Sequence, residues 1–246
     1  MDMDIILRQM DIWYAGVPGS FLFDAECAAL DKVLPHFKGQ YLLQIGGPSE
    51  KILFGKSPIR YRIRLSPEHD SVYRGVSIQS TFDELPFLPE SVDVVLLPHV
   101  LEFLKNPADM ILEIANILKP EGHLIILGFN PFSLWGCYKM LARDRYLPWR
   151  GEFRSEMRVR NWLRKAGLVV VDKRTVFFRP PIKNKILLHH LLFLEPIGRV
   201  SWNSFGASYV LIVRKKVPGM TLIPIKKPIS TQLVAPNSML QPSRRS

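Results

Sequence analysis

Residues 91–129, SVDVVLLPHVLEFLKNPADMILEIANILKPEGHLIILGF, switch between two kinds of pattern. Residues 92–97 form an almost unbroken apolar run of strand length. Such a run fits a central parallel strand covered on both faces. NPADMILEIANILKPEG then spaces its apolar residues at three and four, with Pro107 near the start and Pro120 and Gly122 closing the helix. HLIILGF is a second apolar run. Strand, helix and strand in this order make a parallel unit with a helical crossover.

The same alternation extends outward. Upstream, YLLQIGGPSE at 41–50 reads as a buried strand, a glycine turn at Gly46 and Gly47, and the opening of a helix at Pro48, Ser49 and Glu50. YRIRL at 61–65 and GVSIQS at 75–80 are strands, and SFLFDAECAALDKVLPHFK at 20–38 is an amphipathic helix packed on the sheet. Downstream, SEMRVRNWLRKAG is a helix ended by Gly167, followed by strands in LVVVDKR and ASYVLIVRKK. No clear helix separates those last two strands, so the final one is expected as an antiparallel edge. The fold class is α/β, a doubly wound, mainly parallel seven-stranded Rossmann-like sheet with a last antiparallel strand. One domain spans 1–225, with helical lid pieces at about 131–165 and 180–204. Residues 226–246, rich in proline and serine and without acids, are expected to be a disordered basic tail.

Composition narrows the function classes. The 246 residues are 47% hydrophobic and 22% charged, ordinary for a globular chain. Cys27 and Cys137 lie far apart with no CxxC spacing, which argues against a zinc site or a disulfide framework and fits a reducing cytoplasm. The acidic N-terminus does not resemble a signal peptide, and no apolar run reaches the roughly 18 residues of a membrane span. Net charge is +11, and no acid follows Glu195, whereas Arg214, Lys215, Lys216, Lys226, Lys227, Arg244 and Arg245 do. Such an end is either a solvated tail or a contact for nucleic acid or an anionic membrane surface.

Leu85, Pro86 and Phe87, then the strand beginning Val92-Asp93-Val94-Val95, then Leu118-Lys119-Pro120-Glu121-Gly122 and an apolar strand, occur here in a fixed order. In that order they resemble the central part of class I S-adenosylmethionine-dependent methyltransferases of the type 11 group. WYAGVPGSFLFDAECAALDKVLP, GFNPFSLWG and VPGMTLIP extend the likeness to a proteobacterial branch of that group, over residues from about 10 to 225. The resemblance implies S-adenosyl-L-methionine as cofactor, held along the carboxyl ends of adjacent strands.

Carried over residue by residue, it places the cofactor against Gln44, Ile45, Gly46, Gly47, Leu65, Thr81, Phe82 and Pro98. Three acids usual in the family are replaced. Gln44 stands where a carboxylate meets the donor's amine, Leu65 and Ser66 where one takes the ribose hydroxyls, and Thr81 where one meets the adenine amino group. A neutral hydrogen bond is roughly half as strong as a charge-assisted one. Phe82 offers the adenine an apolar wall.

His99 in the loop after the fourth strand is either a general base or a hydrogen-bonded strand-end histidine, with Glu102 its orienting partner or a solvated acid. Asn130 either binds substrate or caps a helix beginning at Pro131. Trp135 and Tyr138 belong to an aromatic, basic lid suited to an apolar or anionic acceptor: a small amphiphile, a membrane-surface substrate or a nucleic-acid stem. The expected activity is methyl transfer to an unidentified acceptor. Its rival is a non-catalytic binding or scaffold protein on a degenerate methyltransferase fold. A nicotinamide-dependent oxidoreductase fits poorly, because the third glycine of the dinucleotide fingerprint is missing.

Overall fold

The computed structural model describes residues 3–48, 52–67, 75–82, 84–142, 146–202 and 204–216. The expected basic tail lies outside them, as does Glu68. Seven strands form one sheet: β1 (Tyr41–Ile45), β2 (Tyr61–Ser66), β3 (Val76–Gln79), β4 (Val92–Pro98), β5 (Leu118–Phe129), β6 (Leu168–Val176) and β7 (Ser208–Lys215). Their order is β3-β2-β1-β4-β5-β7-β6. The β1–β2, β1–β4, β2–β3 and β4–β5 pairs are parallel, and β7 runs antiparallel to both neighbours. The final strand is therefore antiparallel as expected but is not an edge. It inserts between β5 and β6, and its Tyr209–Val213 stretch is buried throughout. An edge strand has no reason to be apolar on both faces.

Alternate residues of the central strands feed two cores. Leu42, Val94, Leu96, Ile125, Leu127 and Val210 face one side. Leu43, Val95, Leu97, Leu124, Ile126 and Leu211 face the other. The helices are α1 (Met3–Ala15), α2 (Gly19–Leu30), α3 (Pro107–Ile117), α4 (Leu134–Ala142), α5 (Glu156–Lys165), α6 (Lys185–His190) and α7 (Leu194–Ser201). Helix α2 covers the first side with Leu22, Phe23 and Leu30. Helices α3 and α5 cover the second with Ile111, Ile114, Val159 and Leu163.

Helix α1 was not expected from the sequence. It crosses the carboxyl edge of the sheet, sending Ile6, Met10 and Tyr14 into the first core while Met3 and Leu7 pack against the second.

Three further expectations change. The helix over 20–38 ends at Leu30, and a single 3-10 turn at Leu34–His36 follows. Helix α3 stops at Ile117, and Lys119 to Gly122 bulge out at the opening of β5, where Val92 pairs with Leu118 but Val94 with His123. No helix lies between β1 and β2 among the described residues, where residues 52–60 hold turns instead. Gly55 and Pro58 break that segment.

The motifs that carried the resemblance turn out to be structural. Asp93 Oδ2 accepts from the Gln40 and Tyr41 amides at 3.0 Å and pairs with Lys119 Nζ at 2.8 Å. The aspartate of β4 thereby ties the amino ends of β1 and β5 together. Burial opposes the Asp93 charge, but Lys119 and the two amides outweigh it and lower the pKa. The Leu85 amide donates to Glu113 of α3 at 2.9 Å.

Candidate cofactor site

Strand β1 ends in two residues of left-handed backbone, Gly46 at φ +67° and Gly47 at φ +82°. Glycine is favoured there because a side chain would strain both positions. Packing adds a second reason. A Cβ on Gly46 would lie 2.9 Å from Val100 Cγ2 and 3.5 Å from Leu7 and Phe82 carbons, and one on Gly47 would lie 2.6 Å from Pro98 Cγ. The space these glycines leave is taken by the chain's own side chains.

The turn's polar groups are also engaged internally. The Gly46 amide donates to Leu65 O at 2.9 Å, Gln44 Nε2 donates to Gly46 O at 2.8 Å, and Arg64 Nη2 donates to Gly47 O at 2.8 Å. Gln44 is buried and its Oε1 has no hydrogen-bond partner. Because Gly46 O needs a donor, the amide is oriented with its acceptor left over. A buried acceptor in that state is fit for an amine from outside the chain.

Beside the turn, a cavity of about 630 Å³ opens over the carboxyl ends of β2, β3 and β4. Pro67, Thr81, Phe82, Phe103, Asn106 and Asp109 line it, and α1 contributes Met3 and Asp4. Thr81 is exposed and Phe82 buried, as a hydroxyl rim and an apolar wall require. Thr81 and Phe82 thus lie together as expected from the sequence. Ile45, Leu65 and Pro98 are buried beneath, as packing under the turn. Sequence reasoning missed Asp4, Asn106 and Asp109. The signal for the last two was present: Asn106-Pro107 opens α3, and the first turn of a helix after a central strand reaches the site edge.

His99 is not the free base that a catalytic role needs. It is buried, at φ +50°, with Nε2 2.7 Å from Glu26 Oε1 and Nδ1 3.5 Å from Glu102 Oε1. Glu102 Oε1 also accepts from the Phe129 amide at 2.7 Å. Burial pulls the imidazole pKa down, but Glu26 and then Glu102 raise it further, to about 10. At neutral pH the ring is a cation held between two carboxylates and cannot take a proton. The expectation of a general base is corrected to that of a buried ionic pin joining α2 to the loop after β4.

Asn130 is similarly consumed. Its Nδ2 donates to Ser204 O at 2.7 Å and Gly206 O at 3.0 Å, and its Oδ1 accepts from the Phe132 amide at 3.0 Å. It clamps the loop before β7 and turns the chain towards α4, which begins at Leu134 rather than Pro131. Trp135 is fully buried, and its indole donates to Arg179 O at 2.9 Å. It therefore builds the core beneath the lid, and so offers no surface to a substrate. Tyr138 is half-buried against Trp149, with ring centroids 4.9 Å apart.

A second cavity of about 340 Å³ lies at the carboxyl edge beside β5, β6 and β7, lined by Asn130, Phe132, Met157, Thr175, Phe205 and Tyr209 among others. Thr175 Oγ1 is buried there without a hydrogen-bond partner. Among the described residues no cluster of histidine, cysteine, aspartate and glutamate is arranged to hold a metal ion. Both cysteines are free thiols.

This sheet order, with its inserted antiparallel strand and a cavity over the parallel carboxyl ends, defines the class I methyltransferase fold. Residues 61–126 match a family described as a methyltransferase domain, of the type 11 group. The chain belongs to that group by its fold and by this central segment.

Among relatives, the uncharacterized protein YafS of Escherichia coli K12 is 28% identical over 77% of this chain and 74% of its own length. The uncharacterized protein Rv2003c of Mycobacterium tuberculosis H37Rv is 27% identical over 70% of this chain and 61% of its own.

Solved structures share the fold. A SAM-dependent methyltransferase from Thermotoga maritima is 21% identical with a TM-score of 0.59, covering 80% of this chain and 91% of that one. The [4+2]-cyclase SpnF is 16% identical with a TM-score of 0.55, covering 78% and 80%. The second likeness carries a warning in its name, because one fold supports more than one reaction.

Proposed function

We propose that the chain is an S-adenosylmethionine-dependent methyltransferase acting on an acceptor of apolar or anionic character. The observation that carries this reading is the cavity of about 630 Å³ over β2, β3 and β4. Its volume lies within the roughly 300–1,000 Å³ typical of ligand pockets. Phe82 would wall the adenine, Thr81 would meet its polar edge, and Asp109 would supply the carboxylate for the ribose that β2 lacks. The unpartnered Oε1 of Gln44 would accept from the donor's amine.

When bound, S-adenosylmethionine supplies an electrophilic methyl group whose bonding electron pair returns to sulfur as the acceptor's lone pair attacks. The chain's contribution is then alignment and exclusion of water. Helix α1 would close the site from above. The second cavity, apolar through Phe132, Met157 and Phe205, would receive the acceptor. No base is assigned to His99, so the fitting acceptor is one whose attacking atom does not need that residue to remove a proton. The three replaced acids and the internal bonding of the glycine turn favour modest affinity.

A second reading follows from the same turn. Since Leu7, Val100 and Phe82 fill the space beside Gly46, the fold can serve as a binding scaffold that never takes the donor. Thermal unfolding in the presence of S-adenosylmethionine or S-adenosylhomocysteine separates the two. The methyltransferase reading predicts a rise in Tm with ligand for the native chain. It also predicts a dissociation constant about tenfold weaker for Asp109→Asn, which loses one charge-assisted bond. An unchanged Tm at millimolar ligand would support the scaffold instead.

A further inference from the structure

Residues 183–202 carry a surface that the cofactor reading does not use. Asn184 caps α6 by accepting from the Ile186 and Leu187 amides. The inner side of the segment is firmly held. Leu188 is buried, and its carbonyl accepts from Arg179 Nη1 at 3.0 Å. Arg179 Nε pairs with Glu195 at 3.0 Å, and Gly198 lies so close to Phe178 that a Cβ would come within 2.2 Å of that ring.

With the inner side fixed, the outer side is apolar. Phe193, Ile197 and Val200 follow the spacing of four and three that forms one helical stripe, and all are exposed, Val200 to 87%. Ile186 (70% exposed), Leu192 and Trp202 extend the stripe. Contiguous exposure of this kind on an anchored element marks an interaction surface.

Charge selects the occupant. Between residues 183 and 202 the sole acid is Glu195, which is neutralised by Arg179. Lys183 and Lys185 are exposed beside the stripe. A second copy of this chain would bring the same positive charge to the contact, whereas an anionic bilayer complements it. Phenylalanine, tryptophan and leucine on one side with flanking lysines is also the composition of helices that lie in a membrane interface. No described helix is long and apolar enough to cross a membrane. We infer that the α6–α7 segment seats this protein on an anionic lipid surface, with Phe193, Ile197, Val200 and Trp202 entering the headgroup boundary. Trp202 leads by a short loop to Phe205, which lines the second cavity, so the docked face lies beside that opening. This inference does not depend on cofactor binding.

Flotation of the full chain with vesicles tests it, using phosphatidylcholine alone and phosphatidylcholine mixed with phosphatidylglycerol. The native chain is expected to partition onto the anionic vesicles at least about tenfold more strongly than onto neutral ones. Phe193→Asp with Val200→Asp should reduce that partition about tenfold or more, with circular dichroism confirming the fold. Replacing Lys226, Lys227, Arg244 and Arg245 by serine should reduce it less. As a readout that needs no disruptive variant, brominated lipid should quench the native fluorescence and lose most of that quenching in Trp202→Phe. Equal partition of the aspartate variant, loss of binding in the serine variant alone, or a dimer in sedimentation that ignores vesicles would each overturn the inference.

Discussion

His99 illustrates how one buried side chain can be misread from its position alone. At the end of a central strand it looks catalytic, yet Glu26 and Glu102 make it a structural cation. Its pKa rises from 6.5 to about 10 on folding. A group whose folded pKa is raised stabilises the native state fully below its unfolded pKa, and that stability is lost as pH climbs through the folded value. Urea unfolding should therefore show stability falling between neutral pH and about pH 10 in the native chain. In His99→Gln that slope should largely vanish. The variant should also lose roughly 3–5 kcal/mol at neutral pH, because two buried carboxylates then face a neutral amide. An unchanged slope would show that the triad is not ionic.

Local sequence placed His99 and Glu102 together, one helical turn apart. It could not reveal Glu26, which lies 73 residues away and arrives through the packing of α2. Asn130 and Trp135 were misassigned for a related reason. Their partners, Ser204, Gly206 and Arg179, come from the far end of the chain.

The elements divide by how strongly burial marks them. Strands β1, β4, β5 and β7 were legible because residues covered on both faces must be apolar, and only strand-length runs were available to supply them. Helix α1 was missed because its buried positions, Ile6, Met10 and Tyr14, are spread among acids and an arginine and face an edge rather than the broad sheet. The helix expected after Gly47 was borrowed from the resemblance, and KILFGKSPIR lacks the spacing to form it.

Two substitutions test the turn at the opening of β5. Asp93→Ala removes the acceptor for two strand amides and the partner of Lys119, and should cost about 1–3 kcal/mol in Tm-derived stability. Cofactor binding should be untouched, since the residue sits at the amino ends of the parallel strands. Glu121 occupies a left-handed position at φ +62°. Glu121→Gly should raise stability by up to about 1 kcal/mol, because glycine removes the Cβ strain and the exposed Arg214 pair contributes little.

Across the whole molecule, sheet order, charge and cavities point to one arrangement. The parallel half, β3-β2-β1-β4, carries a cofactor-sized cavity roofed by α1. The antiparallel half carries a smaller apolar cavity, and the exposed α6–α7 stripe is linked to it through Phe205. The sequence motifs located the fold because they knit the amino ends of the strands and the α3 crossover. They said less about the carboxyl edge, where the family's acids are replaced and Asp4 and Asp109 enter from helices instead. Calorimetric titration of the purified chain with S-adenosylhomocysteine tests the central claim most directly. Saturable heat from one site per chain, diminished in Asp109→Asn, is the predicted result. No heat up to millimolar ligand, from protein that melts cooperatively, would contradict it.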